Sequence, residues 1–333
     1  MVPVLDENKI PLMPCTERRA KKLMESGRAK PYWCKGIFCI ILQNEPKSRY
    51  MQDIVIGIDP GSKFNGYTVK SEAHTLKNLQ INAVTSVKSK MEERANLRRA
   101  RRQRNAPYRK CRLNRGVCNK LPPSTMARWQ QHLNIVKWME KLYKITHVVI
   151  EDIKAASIKG AKKWNRSFSP LEVGKAWFEN NVELLGLRFS KFAGYETHEM
   201  RVEMGLKKNS NKARQDFHTH CVDSWVLANK VIGGHIYVDS MHTIYLNPLS
   251  YFRRKLHDVV PKKVGFRRSY GSTLSIGITR GTLAKHPKYG ISLVGGNSKG
   301  RVSLHDLSTN KRLCGNSKKE DLKIKTTLKY NFI

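Results

Sequence analysis

Four residues stand where a cation-dependent chemistry could be run. Asp59 ends the apolar run Ile54-Val55-Ile56-Gly57-Ile58, just before the Pro60-Gly61 turn. Glu151 ends a second run, His147-Val148-Val149-Ile150, while His220 and Asp223 lie three apart in Asp216–Trp225. A carboxylate at the end of a buried strand is costly unless a partner or a metal compensates it. Asp152 competes with Glu151, but adjacent strand residues face opposite ways, so only one of them can point with Asp59. At helical spacing Phe217, Cys221, Trp225 and Ala228 make a buried stripe, and His220 and Asp223 share the face along its edge. Taken singly, Asp59 also reads as a turn aspartate bonding its own backbone, and His220 and Asp223 as a core-edge histidine and a solvated acid. Together the acids can hold hard divalent cations such as Mg²⁺, which takes oxygen ligands. Phosphoryl transfer needs charge neutralised on the entering and leaving oxygens. Three acids meeting in a chain with only 26 Asp and Glu favour a nuclease.

Charge agrees with a polyanionic substrate. The 333 residues include 63 Lys and Arg, for a formal net charge of +37. A compact chain this basic repels itself and calls for a partner that neutralises it. Between Lys88 and Arg115, twelve residues are Lys or Arg and two are acidic. Arg94, Arg98, Arg99, Arg101, Arg102 and Arg104 lie all round a helix that runs from Met91 to Asn105 and stops at Pro107. Such a helix is either a solvated arm or one wrapped on several sides by phosphates. Tyr108, Arg109, Arg112 and Arg115 would extend that surface and offer a ring for stacking on bases. A second basic cluster, Arg253, Arg254, Lys262, Lys263, Arg267 and Arg268, follows much later.

Other classes are disfavoured. An apolar share of 40% with six Trp supplies a real core, against a disordered basic tail. No run approaches the ~18 apolar residues of a spanning helix, and Met1–Asp6 lacks the charged and apolar regions of a signal peptide. Seven Cys form no C-x-x-C pair, so reduced thiols in a cytoplasmic protein are expected.

The elements that must position these residues follow from pattern. The spacing predicts a helix capped by Thr16 and ending near Gly27, then a strand over Ile37–Leu42. Antiparallel strands at Gly66–Val69 and Leu79–Val84 follow the Asp59 strand. Ser124 or Thr125 caps a helix carrying Trp129, Leu133, Val136 and Tyr143 on its period. A strand lies within Phe189–Glu199, and a helix over Asp216–Val231 ends at Gly233-Gly234. From near residue 245 short strands such as Ser275–Ile278, Gly290–Val294 and Arg301–Leu304 predict a small all-β module.

On these residues the chain resembles the transposon-encoded RNA-guided nucleases IscB and IsrB. Pro11-Leu12-Met13-Pro14 matches the motif of their N-terminal domain. Gly57-Ile58-Asp59-Pro60-Gly61-Ser62 looks like the first RuvC motif and Val149-Ile150-Glu151 like the second. His220-Cys221-Val222-Asp223-Ser224 looks like the third, usually His-x-x-Asp-Ala, from which Ser224 departs. The Arg-rich helix stands where that family has its bridge helix. Asp152 to Asp216 spans 65 residues with one histidine, His198, too little for the HNH nuclease that IscB inserts there, so the likeness is to IsrB.

The resemblance implies an α/β, RNase H-like RuvC core split by the bridge helix and flanked by an N-terminal PLMP module and a C-terminal β-rich module. The implied divisions are 1–52 (PLMP), 53–87, 119–156 and 157–244 (RuvC, the last including a linker), 88–118 (bridge helix and basic extension) and 245–333 (the module that meets a motif adjacent to the target). Asp59, Glu151 and Asp223 would bind two Mg²⁺, for which Mn²⁺ can substitute. His220 would orient or deprotonate the attacking water, or ligate a metal. The implied activity is RNA-guided nicking of the displaced strand of a matched DNA duplex. A monomeric protein would carry a guide (omega) RNA in a prokaryotic cytoplasm, on the nucleoid when bound to DNA. Two rivals remain, a Holliday-junction-type RuvC nuclease working without RNA and a catalytically silent RNA-binding transposon accessory protein.

Overall fold

The computed structural model describes the chain except residues 47, 103–120, 155–168, 235–236, 249–273, 328–329 and 333, together with the side chains of Leu97, Ala100, Arg101, Arg102 and Asn331. It is a mixed α/β protein of several sheets, and it divides into two compact units. One comprises Met1–Val84, Leu121–Pro248 and Phe332–Ile333; the other comprises Thr85–Lys120 and Leu249–Asn331.

The first unit begins with β1 (Val2–Leu5), β2 (Pro11–Cys15), α1 (Glu17–Glu25), β3 (Ala29–Cys34) and β4 (Ile37–Leu42), whose strands lie in the order β2-β1-β4-β3. Pattern alone did not predict β1, β2 or β3. Pro11 and Pro14 sit on the edge strand β2, where a missing N–H costs no ladder bond. The helix α1 starts as expected, with the Thr16 hydroxyl accepting from the Arg19 amide at 3.3 Å, and Gly27 beyond it takes a positive φ of 69°. Val4, Leu12, Ala20 and Ile40 form the core of this module.

The second, seven-stranded sheet includes β5 (Ile54–Asp59), β6 (Phe64–Ser71), β7 (Thr75–Asn82), β8 (His147–Asp152), β9 (Arg188–Ala193) and β10 (Thr243–Pro248), adjacent in the order β10-β7-β6-β5-β8-β9. The strands β5, β6 and β7 run antiparallel as a meander, whereas β8 is parallel to β5, β9 to β8 and β10 to β7. Ile54, Ile56, Ile58, Val148, Val149 and Ile150 are fully buried, as continuous apolar runs in a sheet covered on both faces should be.

Along the chain the helices are α2 (Val87–Arg102), which belongs to the other unit, then α3 (Pro123–Met139), α4 (Pro170–Glu183), α5 (Gly194–Glu203), α6 (Phe217–His220) and α7 (Val222–Ile232). The expected elements differ from the structure in detail. Neither Ser124 nor Thr125 caps α3, which opens on Pro123 with no side-chain cap, because the fixed φ and missing N–H of proline suit a first helical position. Tyr143 lies past the end of that helix but is still buried. The strand expected within 189–199 ends at Ala193, where the Glu196 carboxylate accepts the Ala193 amide at 2.5 Å and opens α5. The helix expected over 216–231 is broken at Cys221 into α6 and α7.

In the second unit β11 (Leu274–Ser275), β12 (Ile278–Thr279), β13 (Thr282–His286), β14 (Gly290–Ser298), β15 (Arg301–His305), β16 (Arg312–Ser317) and β17 (Lys323–Thr327) are strands. Five of them form an antiparallel sheet in the order β16-β15-β14-β13-β17 around Ala284, Val294, Val302 and Leu304. Ser275–Ile278 is a tight turn instead of one strand, since Ile276 and Gly277 both take positive φ. The start expected at residue 245 falls inside β10, which pairs with β7 of the first unit; the second unit resumes at Leu249.

Candidate active site

The parallel register pairs Ile58 of β5 with Ile150 of β8, so Asp59 and Glu151 come next, side by side, at the C-terminal ends of two neighbouring strands. Their carboxyl groups share a hydrogen bond. Burial raises the pKa of both. In Glu151 the charges of Asp59 and Asp223 add to it, and its pKa is pushed up to about 7. Two half-buried carboxyl groups this close oppose each other's ionisation. Asp152 faces the other way, as strand alternation requires, and is paired with Lys175 of α4, which also holds Glu172 at 2.7 Å.

The third acid arrives on a helix pressed against the sheet. A Cβ on Gly57 would lie 1.9 Å from the Ser224 carbonyl oxygen, and one on Gly66 would lie 1.7 Å from that of His220. These two strand glycines therefore let α6 and α7 lie directly on β5 and β6, which brings Asp223 to the end of β5. Asp216 caps α6 by accepting the Thr219 amide at 2.7 Å. Asp223 is almost fully buried in the first turn of α7. Arg201 of α5 donates to its Oδ1 at 2.6 Å, and Lys208 pairs with its Oδ2. The Lys208 ammonium also reaches Asp59 Oδ2 at 3.4 Å. One cation thus links the β5 acid to the α7 acid.

The His220 ring lies tilted against Phe64, with ring centroids 4.8 Å apart. Its Nε2 lies 3.1 Å from the Lys212 carbonyl oxygen. A carbonyl only accepts, so Nε2 carries the hydrogen and the neutral ring keeps its lone pair on Nδ1. Burial holds the imidazole pKa below its ordinary value, so a ring with a free lone pair is the form present at neutral pH. The neighbouring His218 is turned instead toward the Lys207 carbonyl, at 3.1 Å.

The donor set of Asp59, Glu151 and Asp223 is all oxygen, which suits a hard cation. As they stand, however, no three Asp, Glu, His or Cys side chains among the described residues converge as metal ligands. Asp223 is committed to Arg201 and Lys208, and Asp59 to Glu151 and Lys208.

Of the expected nucleic-acid-binding residues, Arg94, Arg98 and Arg99 lie exposed on α2. None of the three forms an ion pair among the described residues; Arg99 reaches only Asn96, at 3.5 Å. Arg101 and Arg102 end that helix, with side chains outside the description. Arg104, Tyr108, Arg109, Arg112 and Arg115, and Arg253, Arg254, Lys262, Lys263, Arg267 and Arg268, lie outside the described residues.

Sequence reasoning missed Lys208, Arg201 and Lys175. Nothing in a chain with 63 basic residues marks these three. The one available signal was the need of a buried acid for a counter-charge.

Residues 2–162 match the model of the RRXRR protein family. That stretch contains Asp59 and Glu151 and ends before His220 and Asp223. Among solved structures the chain is similar to T. thermophilus RuvC in complex with Holliday junction substrate, at 14% identity and a TM-score of 0.28, over 55% of this chain and 97% of that one. A likeness that distant carries no argument about function. No curated protein matches the chain. No helix among the described residues is long and apolar enough to cross a membrane.

Proposed function

We propose that this protein is an RNA-guided endonuclease of the RuvC type, which nicks the displaced strand of a guide-matched DNA duplex through one carboxylate centre. The observation that carries the reading is the placement of Asp59 and Glu151 in mutual contact at the ends of β5 and β8, with Asp223 tied to Asp59 through Lys208. The antiparallel meander β5-β6-β7 followed by parallel β8 and β9 is the arrangement expected of an RNase H-like core. The RRXRR match spans both strand-end acids, and the net charge suits a polyanionic partner.

In this reading Asp59, Glu151 and Asp223 are the residues that would hold Mg²⁺. The ion would supply a Lewis acid for the scissile phosphate and lower the pKa of the attacking water. His220 offers Nδ1 as the acceptor for a proton from that water, its ring held by Phe64 and the Lys212 carbonyl. Arg201 fixes the Asp223 carboxylate. Exposed arginines of α2 would contact phosphates without reading bases, which leaves the choice of target to base pairing.

The test is to sequence the RNA that co-purifies with the full chain and to assay the complex on duplexes matched or mismatched to it. Cutting of one strand, only in the matched duplex and only with RNA present, supports the proposal. Efficient resolution of a four-way junction by RNA-free protein would replace it with the junction-nuclease reading. Bound RNA with no cleavage of any substrate in Mg²⁺ would leave an RNA-binding protein.

A further inference from the structure

Lys208 joins two of the three acids, yet the nuclease reading gives it no part in the chemistry. It lies in the segment between α5 and α6, and its side chain is about one-third exposed at 31%. Among the described residues it is the one cation that ion-pairs with two of the three acids, Asp59 on β5 and Asp223 on α7. Arg201 also serves Asp223 but in a different way. Its side chain is 14% exposed and its guanidinium is held in addition by His198 Nδ1 at 2.9 Å, so it is a fixed part of the wall. Lysine is a compact point charge on a flexible four-carbon stem, able to withdraw without disturbing the backbone. The Lys208 ammonium therefore occupies an oxygen on each of two of the three acids that would hold a cation.

Resting on the reading of Asp59, Glu151 and Asp223 as cation ligands, we infer that Lys208 is a built-in counter-ion, holding these carboxylates together until a divalent cation exchanges for its ammonium. A divalent ion carries twice the charge of an ammonium and approaches carboxylate oxygens more closely, so Coulomb attraction favours the exchange. Two ligands that compete for one set of oxygens weaken each other equally, so Lys208 lowers the affinity of the site for the metal. Metal binding in turn releases the Lys208 amine to solvent.

The experiment is titration of the full chain with Mn²⁺, followed by electron paramagnetic resonance. Binding at the acids is taken as the part that an Asp59→Asn substitution removes. Lys208→Met, which keeps the stem and deletes the charge, is expected to tighten that binding at least about tenfold, within the usual range of such couplings. Unchanged or weaker binding in Lys208→Met, with Asp59-dependent binding intact in the unmodified chain, overturns the counter-ion and leaves the metal-centre reading standing. No Asp59-dependent binding in either protein overturns both.

A second measurement needs no variant. Acylation of Lys208 in the unmodified chain, read by mass spectrometry, is expected to speed up severalfold on adding Mn²⁺ and to stay unchanged in Asp59→Asn. Equal Lys208 reactivity with and without Mn²⁺ overturns the exchange. A purely structural lysine would show neither the tighter metal binding nor the metal-dependent exposure.

Discussion

Burial and the neighbouring charges of Asp59 and Asp223 oppose the ionisation of Glu151. The pKa of Glu151 in the folded chain, about 7, is above its ordinary 4.5. The folded chain therefore keeps a proton that the unfolded chain gives up, and stability falls as pH rises from 4.5 through 7. Glu151→Gln removes that slope. In metal-free buffer the variant is expected to melt a few degrees above the natural chain at pH 8 and to show little or no gain at pH 5, as differential scanning calorimetry would register. In a single-turnover assay the same variant should lose cleavage, by at least about a hundredfold if Glu151 holds the transition-state charge balance. Asp152→Asn should stay within about tenfold, because Asp152 belongs to the Lys175 pair and faces away from Asp59. Strand alternation made it legible that only one of Glu151 and Asp152 points with Asp59, but not which one. Lys208 and Arg201 were not legible, because a counter-charge is chosen by three-dimensional proximity and leaves no periodicity.

At the scale of elements, what positions the site is the contact of α6 and α7 with β5 and β6. Gly57 and Gly66 carry that contact, and what their missing Cβ atoms would meet is backbone, which cannot rotate aside. Gly57→Ala and Gly66→Ala are each expected to cost about 3 kcal/mol, at the upper end of ordinary overpacking, and to depress cleavage by displacing Asp223 and His220. Gly27→Ala makes a useful contrast. There a Cβ meets nothing within 4 Å, and the cost, set by its positive φ, should be only about 1 kcal/mol. Denaturant melts of the three variants separate the two effects. Both sheet glycines lie inside otherwise apolar strand patterns, a signal of close backbone approach that the sequence does carry. The strands β5 and β8 and the cap of α1 were likewise legible, since each rests on local pattern or one capping residue. The break at Cys221 and the start of α5 at Gly194 were not. The first answers to packing on the sheet, and the second to a Glu196 side chain that reaches back to Ala193. The strand β2 escaped notice because its two prolines argue against a strand everywhere except at an edge.

For the whole molecule the dominant quantity is a net charge of +37. Replacing the exposed Arg94, Arg98 and Arg99 of α2 together with Ala is expected to weaken RNA binding without sequence preference. Each lost phosphate contact should also flatten the slope of log affinity against log salt by ~0.7 to 0.9. An unchanged slope by filter binding would make α2 a solvated helix. The basic character was legible from composition, whereas the division into two units, with Thr85–Lys120 grouped with Leu249–Asn331, was not. That grouping joins segments far apart in the chain, and no local pattern encodes it. The central claim is that Asp59, Glu151 and Asp223 form one cation-dependent strand-cutting centre. Its most direct test is cleavage of a guide-matched duplex, each strand labelled differently, by complexes of the natural chain and of Asp59→Asn in Mg²⁺ and in EDTA. One strand is expected to be cut by the natural chain in Mg²⁺ alone, and none by Asp59→Asn although its complex still binds the duplex. Cleavage that survives in Asp59→Asn, or that proceeds equally in EDTA, would contradict that claim.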